Sequence, residues 1–346
     1  MAEPGGRPAR RFSGRMRRFL VRLLWMAVVL WGITVVSFGV IHLAPGTASD
    51  VQAGLNPTAG DGARERLTEL YGLDQPLHVQ YWSWLSRMVR FDFGQSLSGD
   101  RRPVWERISE RLPLTFGMNA AALVLTLLIA VPIGAYSAAR QGGLFDRAAT
   151  VLVFIGFATP GFWLALLLIL LLGIHWPVLP VSGLTSLEYA SFSWWGKAWD
   201  VIRHLALPVF LYTFAGLASM SRYMRSAMLE VMRQDYILTA RAKGLPERIV
   251  LFRHAMRNAL LPVITLLGLW VPLLIGGSVI IESIFALPGL GLLFYEAILA
   301  RDYPLVMGSL VLGAVLTLAG NLLADLMYGL ADPRVRLGLS PGQEAA

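Results

Sequence analysis

Apolar residues in this chain come in long blocks and not in the narrow stripes of surface helices. Six blocks approach or exceed the ~20 residues that carry a helix across a hydrocarbon core. They are Phe19–Ile41, Leu114–Ala139, Ala148–Gly173, Leu205–Arg222, Leu260–Ser283 and Pro304–Tyr328. The fourth is the weakest, because its clean apolar run, Leu205–Met220, stops at Ser221 and Arg222. Inside lipid the backbone must satisfy its own hydrogen bonds, so each block reads as helix. The fold class is therefore all-α: a polytopic membrane protein with six transmembrane helices. Pro132, Pro160, Pro208, Pro262 and Pro272 fall in or at the ends of these blocks and are expected to kink helices for packing.

The polar segments between blocks have structure of their own. Residues 42–113 are too long for a plain loop and read as short helices over Gly62–Tyr71, Pro76–Val89 and Arg102–Arg111. Trp82, Trp84 and Trp105 sit among charges there, as in helices lying at headgroup level. Residues 174–203 contain Trp176, Trp194, Trp195 and Trp199, read as an interfacial aromatic belt. Residues 285–303 form a third short connection. Residues 1–18 and 338–346 are read as disordered tails flanking a single transmembrane domain, residues 19–337.

Charge gives the blocks an orientation. Only 15% of the chain is charged against 55% apolar, and the net charge is +8. Arg7, Arg10, Arg11, Arg15, Arg17, Arg18 and Arg22 cluster at or before the first block. Between Arg222 and Arg257 there are eight Lys/Arg against three acids, whereas residues 42–113 balance eight Arg against nine Asp/Glu. By the positive-inside rule both termini and the 223–259 loop are cytoplasmic, which suits an even number of spans. This distribution is a membrane signature, and no nucleic-acid partner is expected. The first block is longer than a signal-peptide core and lacks a cleavage site, so it reads as a retained anchor. Cysteine is absent, which removes disulfides, thiolate metal sites and Cys nucleophiles.

The cytoplasmic loop is the most informative stretch. Asp235 precedes a helix-forming run, Tyr236–Lys243, and Gly244 and Pro246 then supply a stop and a restart before a second basic helix, Glu247–Asn258. Small residues (Thr239, Ala240, Ala242, Gly244) would let another protein's groove close on the first helix. The run Tyr-Ile-x-Thr-Ala-Arg-Ala-Lys-Gly-Leu, followed by Arg-His-Ala-x-Arg-Asn-Ala-Leu-Leu-Pro, resembles the cytoplasmic loop of permease subunits of bacterial ABC importers, and more narrowly the dipeptide/oligopeptide class. Gly244 and Ala240 keep the spacing of the general importer loop, while Leu238 and Thr239 replace its Glu and first Ala, as they do in the peptide class.

Further motifs in family order extend the resemblance over roughly residues 19–337. They are His-Leu-Ala-Pro-Gly, Tyr-Gly-Leu-Asp-Gln-Pro, Phe-Asp-Phe-Gly-Gln-Ser, Arg-Pro-Val-x-Glu-Arg-Ile-x-Glu-Arg-Leu-Pro, Leu-Pro-Gly-Leu-Gly and Ala-Arg-Asp-Tyr-Pro. They mark the first of the two permease types. The resemblance implies a type I importer permease fold in the bacterial inner membrane. It also implies a second permease subunit, two ATP-binding subunits and an external substrate-binding protein as partners. The ATPase-coupling residues would be Gln234, Asp235, Tyr236, Thr239, Ala240, Arg241, Ala242, Lys243, Gly244 and Leu245, with Arg241 and Lys243 expected to meet acidic groups on the ATPase. Peptides are the implied cargo; nickel or another small solute is the alternative.

No chemistry of its own is legible. The chain has no phosphate-cradling Gly-x-x-x-x-Gly-Lys-Ser/Thr loop, so ATP and Mg are expected to be bound by partners, and it has no cofactor of its own. Gly-x-Ser-x-Gly and His-Glu-x-x-His are absent as well, which argues against an enzyme. His42, His175 and His204 fall at external span ends without ligand spacing, and no metal site is assigned; His78 and His254 read as surface residues. Among the ionisable or amide groups within spans, Glu282, Asn321 and Asp325 are read as solvated at the interfaces. A secondary transporter would need carboxylates at mid-depth, and none is evident.

Overall fold

The computed structural model describes residues 9–43, 75–98 and 100–331, and side-chain environments for most of them. It is helical throughout, with an isolated bridge between Gln95 and Pro103 as the sole β pairing among the described residues. The helices are α1 (Ala9–Leu43), α2 (Leu77–Val89), α3 (Val104–Ala139), α4 (Leu144–Ala158), α5 (Gly161–Leu168), α6 (Trp194–Met232), α7 (Asp235–Ala242), α8 (Glu247–Ile249), α9 (Met256–Trp270), α10 (Val279–Ile284), α11 (Leu290–Leu299) and α12 (Tyr303–Ala331). Leu20–Val40 of α1, the whole of α3 and α6, and Tyr303–Leu323 of α12 are each long and apolar enough to cross a membrane. The α4–α5 pair is a further, bent candidate.

Several boundaries differ from the sequence reading. Helix α1 already runs from Ala9, inside the stretch expected as a tail; arginine is a good helix former, and the run leads unbroken into the apolar block. The expected external helix Arg102–Arg111 is no separate element: it forms the first turns of α3, and Pro113 is accommodated inside that helix. The helix expected at Gly62–Tyr71 lies outside the described residues.

The third apolar block is not one straight helix. It breaks at Thr159–Pro160, and the two halves meet at 98°. Proline removes an N–H and pushes the preceding residue out of the helical region, and Thr159 accordingly sits at φ −86°, ψ 117°. Its hydroxyl donates to the Ile155 carbonyl at 2.7 Å, partly satisfying the opened turn. Beyond α5 the chain continues as a π-helix, Ile169–His175. The fifth block is also interrupted. After α9 it tightens into a 3-10 turn at Val271–Leu274, passes Gly276 and Gly277, and resumes as the short α10. Pro272 and the glycine pair explain the break.

By contact density the chain divides into two units. One combines residues 1–107 with 296–318; the other combines 108–295 with 319–346. In the first, α1 and α2 meet through aromatic groups. Phe38 lies edge-on to Tyr81 with centroids 5.3 Å apart, and the Tyr81 hydroxyl is 2.9 Å from that of Thr34. Trp82 and Trp105 are mostly exposed, in keeping with an interfacial position. In the second unit two cores form. One joins Met118, Ala165, Leu207, Leu211, Ile281, Phe285 and Leu287. The other joins the ends of α3, α6 and α9 with residues of the basic loop.

Candidate functional site

The loop between α6 and α9 folds as α7, a tight break, and α8, which runs through a π-helical stretch (Val250–Ala255) into α9. Gln234, not Asp235, is the N-cap of α7; its φ −77° and ψ 146° are extended, and no side chain closes the helix end. Asp235 instead occupies the first turn, where its charge favours the positive end of the helix dipole. Gly244 terminates α7 at φ +77°, its N–H donating to the Arg241 carbonyl at 2.9 Å. Left-handed backbone at this point is the reason for glycine there. Pro246 then caps α8. The stop and restart anticipated from Gly244 and Pro246 are thus present.

Residues of α7 divide between two faces. Ile237 and Ala240, three apart, are buried at 0% and 6% exposure, and both join the core with Met220, Met224 and Met228 of α6. Ala240 is therefore a small residue turned toward its own chain, not toward a partner's groove. Gln234, Asp235, Tyr236, Leu238, Thr239, Ala242, Lys243, Gly244 and Leu245 are exposed. Exposed Ile249 and Phe252 continue the apolar part of this surface past the break. Tyr236 ties α7 to α9: its hydroxyl accepts from Asn258 Nδ2 at 2.9 Å.

Arg241, expected to reach an ATPase, is held within the loop. Its guanidinium donates to both carboxylate oxygens of Glu247, at 2.7 and 3.1 Å. That hydrogen bonding lowers the Glu247 pKa from its usual value and raises that of Arg241. The pair stitches α7 to α8 across the Gly244 turn, while Lys243, at the C-cap of α7, stays exposed. His254, expected at the surface, is half-buried.

Two polar clusters were not anticipated. Glu282, expected to be solvated, is completely buried. The chain after α10 folds back over it: the Leu292 N–H donates to Glu282 Oε2 at 2.7 Å and the Leu287 N–H to its backbone carbonyl at 2.8 Å. Gly277 and Gly289 pack so closely on the carboxylate that a Cβ on Gly277 would lie 2.6 Å from Oε1. The Leu-Pro-Gly-Leu-Gly motif is thus a cradle for this side chain. Asp302, from Ala-Arg-Asp-Tyr-Pro, is likewise fully buried. It accepts from the hydroxyl of Ser96, from Ser98 N and Oγ at 3.3 and 3.2 Å, and from Leu305 N at 3.2 Å. Ser96 closes the Phe-Asp-Phe-Gly-Gln-Ser motif, so two stretches far apart in sequence meet at one carboxylate. Arg107 completes the arrangement, donating to Ser98 Oγ at 3.2 Å and to Asp100 at 2.6 Å and lowering the Asp100 pKa.

Among the histidines, His204 is buried, with Nδ1 2.8 Å from the Asp200 carbonyl, and His175 lies against Trp176. The side chains of His42 and Asp325 lie outside the described residues; Asn321 is exposed.

Comparison with known proteins fits this arrangement of apolar spans around a structured basic loop. The family described as binding-protein-dependent transport system inner membrane component matches residues 130–337, and its N-terminal companion matches residues 16–119. The chain belongs to this family. It is similar to the oligopeptide transport system permease protein AppB of Bacillus subtilis (strain 168), with 43% identity covering 92% of this chain and 99% of the relative. The dipeptide transport system permease protein DppB of Escherichia coli (strain K12) is 36% identical over 93% and 99% of the respective chains. A di/tripeptide transport system permease protein of Pseudomonas aeruginosa (strain UCBPP-PA14) is 37% identical with the same coverage. This permease is accordingly a multi-pass inner-membrane transport subunit of the type I importer fold.

Proposed function

We propose that this permease forms half of a peptide translocation pathway, paired with a second permease and driven by two ATP-binding subunits. Peptides would arrive from an external substrate-binding protein, as membership of a binding-protein-dependent family suggests. The relatives named for oligopeptides, dipeptides and di/tripeptides support peptides as cargo. Six spans, both termini inside, is the topology that best accommodates the charge pattern.

The observation that carries the ATPase part is the two-faced α7. Its inner face is anchored by Ile237 and Ala240, while Tyr236, Leu238 and Leu245 stay exposed beside Lys243. Exposed apolar side chains on a rigid, basic loop suit a protein groove better than water. Closure of the ATPase pair on ATP would draw the two permeases' docking helices together, and the anchored face would pass that motion into the spans. ATP and Mg would be held by those partners.

Reconstitution tests the reading. The permease, its partner, the ATPase subunits and the binding protein in liposomes should import labelled di- or oligopeptides only with ATP. Peptide uptake without the ATPase subunits, or nickel uptake in place of peptides, would overturn it.

A further inference from the structure

The inner ends of α3, α4 and α6 meet at an ion pair that docking alone does not require. Asp146, in the first turn of α4, is 4% exposed. Arg225, on α6 about two turns before that helix ends, donates from Nε at 2.6 Å and from Nη2 at 2.8 Å to its two carboxylate oxygens. The Gly142 N–H adds a third bond to the carboxylate at 2.9 Å, from a left-handed position (φ +75°) in the α3–α4 turn. A planar two-point pair of this kind fixes orientation as well as distance.

The surroundings show why that matters. Helix α3 touches α6 directly: a Cβ on Gly134 would lie 2.5 Å from the Ser221 carbonyl and 2.9 Å from Arg225 N. On its buried side α6 shares a core with Ile237 and Ala240 of the docking helix. Helix α4 also packs along α6. It lies against α6 at Gly156, beside Ala218 and Phe214, and an open apolar groove of about 270 Å³ along the contact is lined by Phe145, Ala149, Leu152, Leu217 and Ser221 among others. Beside this apolar contact the Asp146–Arg225 pair adds a polar tie between the same two helices. Apolar contacts are non-directional and let packed helices slide; a bidentate ion pair with a third backbone donor cannot follow without breaking.

We propose that Asp146 and Arg225 are positioning residues: a clamp through which movement of the docking helix, carried by α6, is imposed on α4 and the α3–α4 turn. This rests on the ATPase-docking reading above. The pair touches neither nucleotide nor cargo and acts through the helices it joins.

The test is a double-mutant cycle on the complete complex in liposomes, with Asp146→Asn, Arg225→Gln and the double variant. The readout is ATP hydrolysed per substrate imported, alongside recovery of the ATPase subunits with the permease. Each single variant is expected to keep the ATPase subunits but raise the ratio by about fivefold or more, with the double variant no worse than either single one. Arg225→Lys, which keeps the charge but loses the fork, is expected to raise the ratio as well, and it serves if the other variants fail to assemble. An unchanged ratio in any assembled single variant, or additive effects in the double, overturns the clamp. Failure of the wild-type permease to hold the ATPase subunits would instead sink the docking reading, which separates the two outcomes.

Discussion

Gly289 and Glu282 show how completely one position can depend on another. A Cβ at Gly289 would fall on the Glu282 carboxylate. Gly289→Ala must displace that side chain or the turn, and should cost about 1–3 kcal/mol, as overpacking does. Glu282→Gln keeps the shape and an acceptor for Leu292 N–H, so it should be much milder; thermal unfolding in detergent would rank the two. Gly244 is the opposite case. Nothing lies within 4 Å of the position its Cβ would take, so Gly244→Ala meets only the left-handed backbone cost of about 1 kcal/mol. The Glu247–Arg241 pair is half-exposed, and Glu247→Gln should cost well under about 1 kcal/mol in stability. Because the Glu247 pKa is depressed in the folded chain, this contribution is complete above the ordinary value of 4.5. It disappears as pH falls below that value, through the depressed one. An unfolding series in pH should show the Gln variant and the wild type converging in acid. Gly244 was legible from the sequence, since a glycine ahead of proline after a helical run has few other uses. The burial of Glu282 was not: its position at the end of an apolar block says nothing about a later segment folding back over it.

At the scale of elements, periodicity and block length located the long helices, while their breaks needed local chemistry. The bend at Thr159–Pro160 had a visible cause but no visible angle, because the angle is set by what packs on either side. The interrupted fifth block looked continuous because Pro272 and the glycine pair are tolerated within apolar runs. Facing was the harder question for α7. Ala240 looked like a groove-lining residue by size, yet its spacing from Ile237 turns it inward with the Met220, Met224 and Met228 stripe. Ala240→Trp should therefore damage the permease's own core, lowering recovery of folded subunit, whereas Leu238→Asp should leave recovery intact. The Asp302 cluster joins two motifs as one element. Asp302→Ala would strand the buried Ser96 hydroxyl and neighbouring donors, a loss of about 1–3 kcal/mol. Its signature should be earlier thermal unfolding, with Asp302→Asn in between.

For the whole molecule, the sidedness of the loop decides the account. The chain has no cysteine, so single cysteines report cleanly. Leu187 is wholly exposed in the connection before α6, and Gln234 is exposed at the start of α7. Leu187→Cys should react with an impermeant thiol reagent in intact cells and Gln234→Cys only after the membrane is opened. Charge asymmetry is what predicts that orientation, since basic residues are retained inside during insertion. The pairing of Asp146 with Arg225 was not readable, because nothing in either local sequence points to the other. The central claim is that the exposed face of α7 seats the ATPase, and the most direct measurement is co-purification. Permease carrying Leu238→Asp and Leu245→Asp should insert and keep its partner permease, yet lose the ATPase subunits in detergent and the substrate-stimulated hydrolysis in liposomes. Wild-type recovery of the ATPase with full stimulation by that double variant would contradict it.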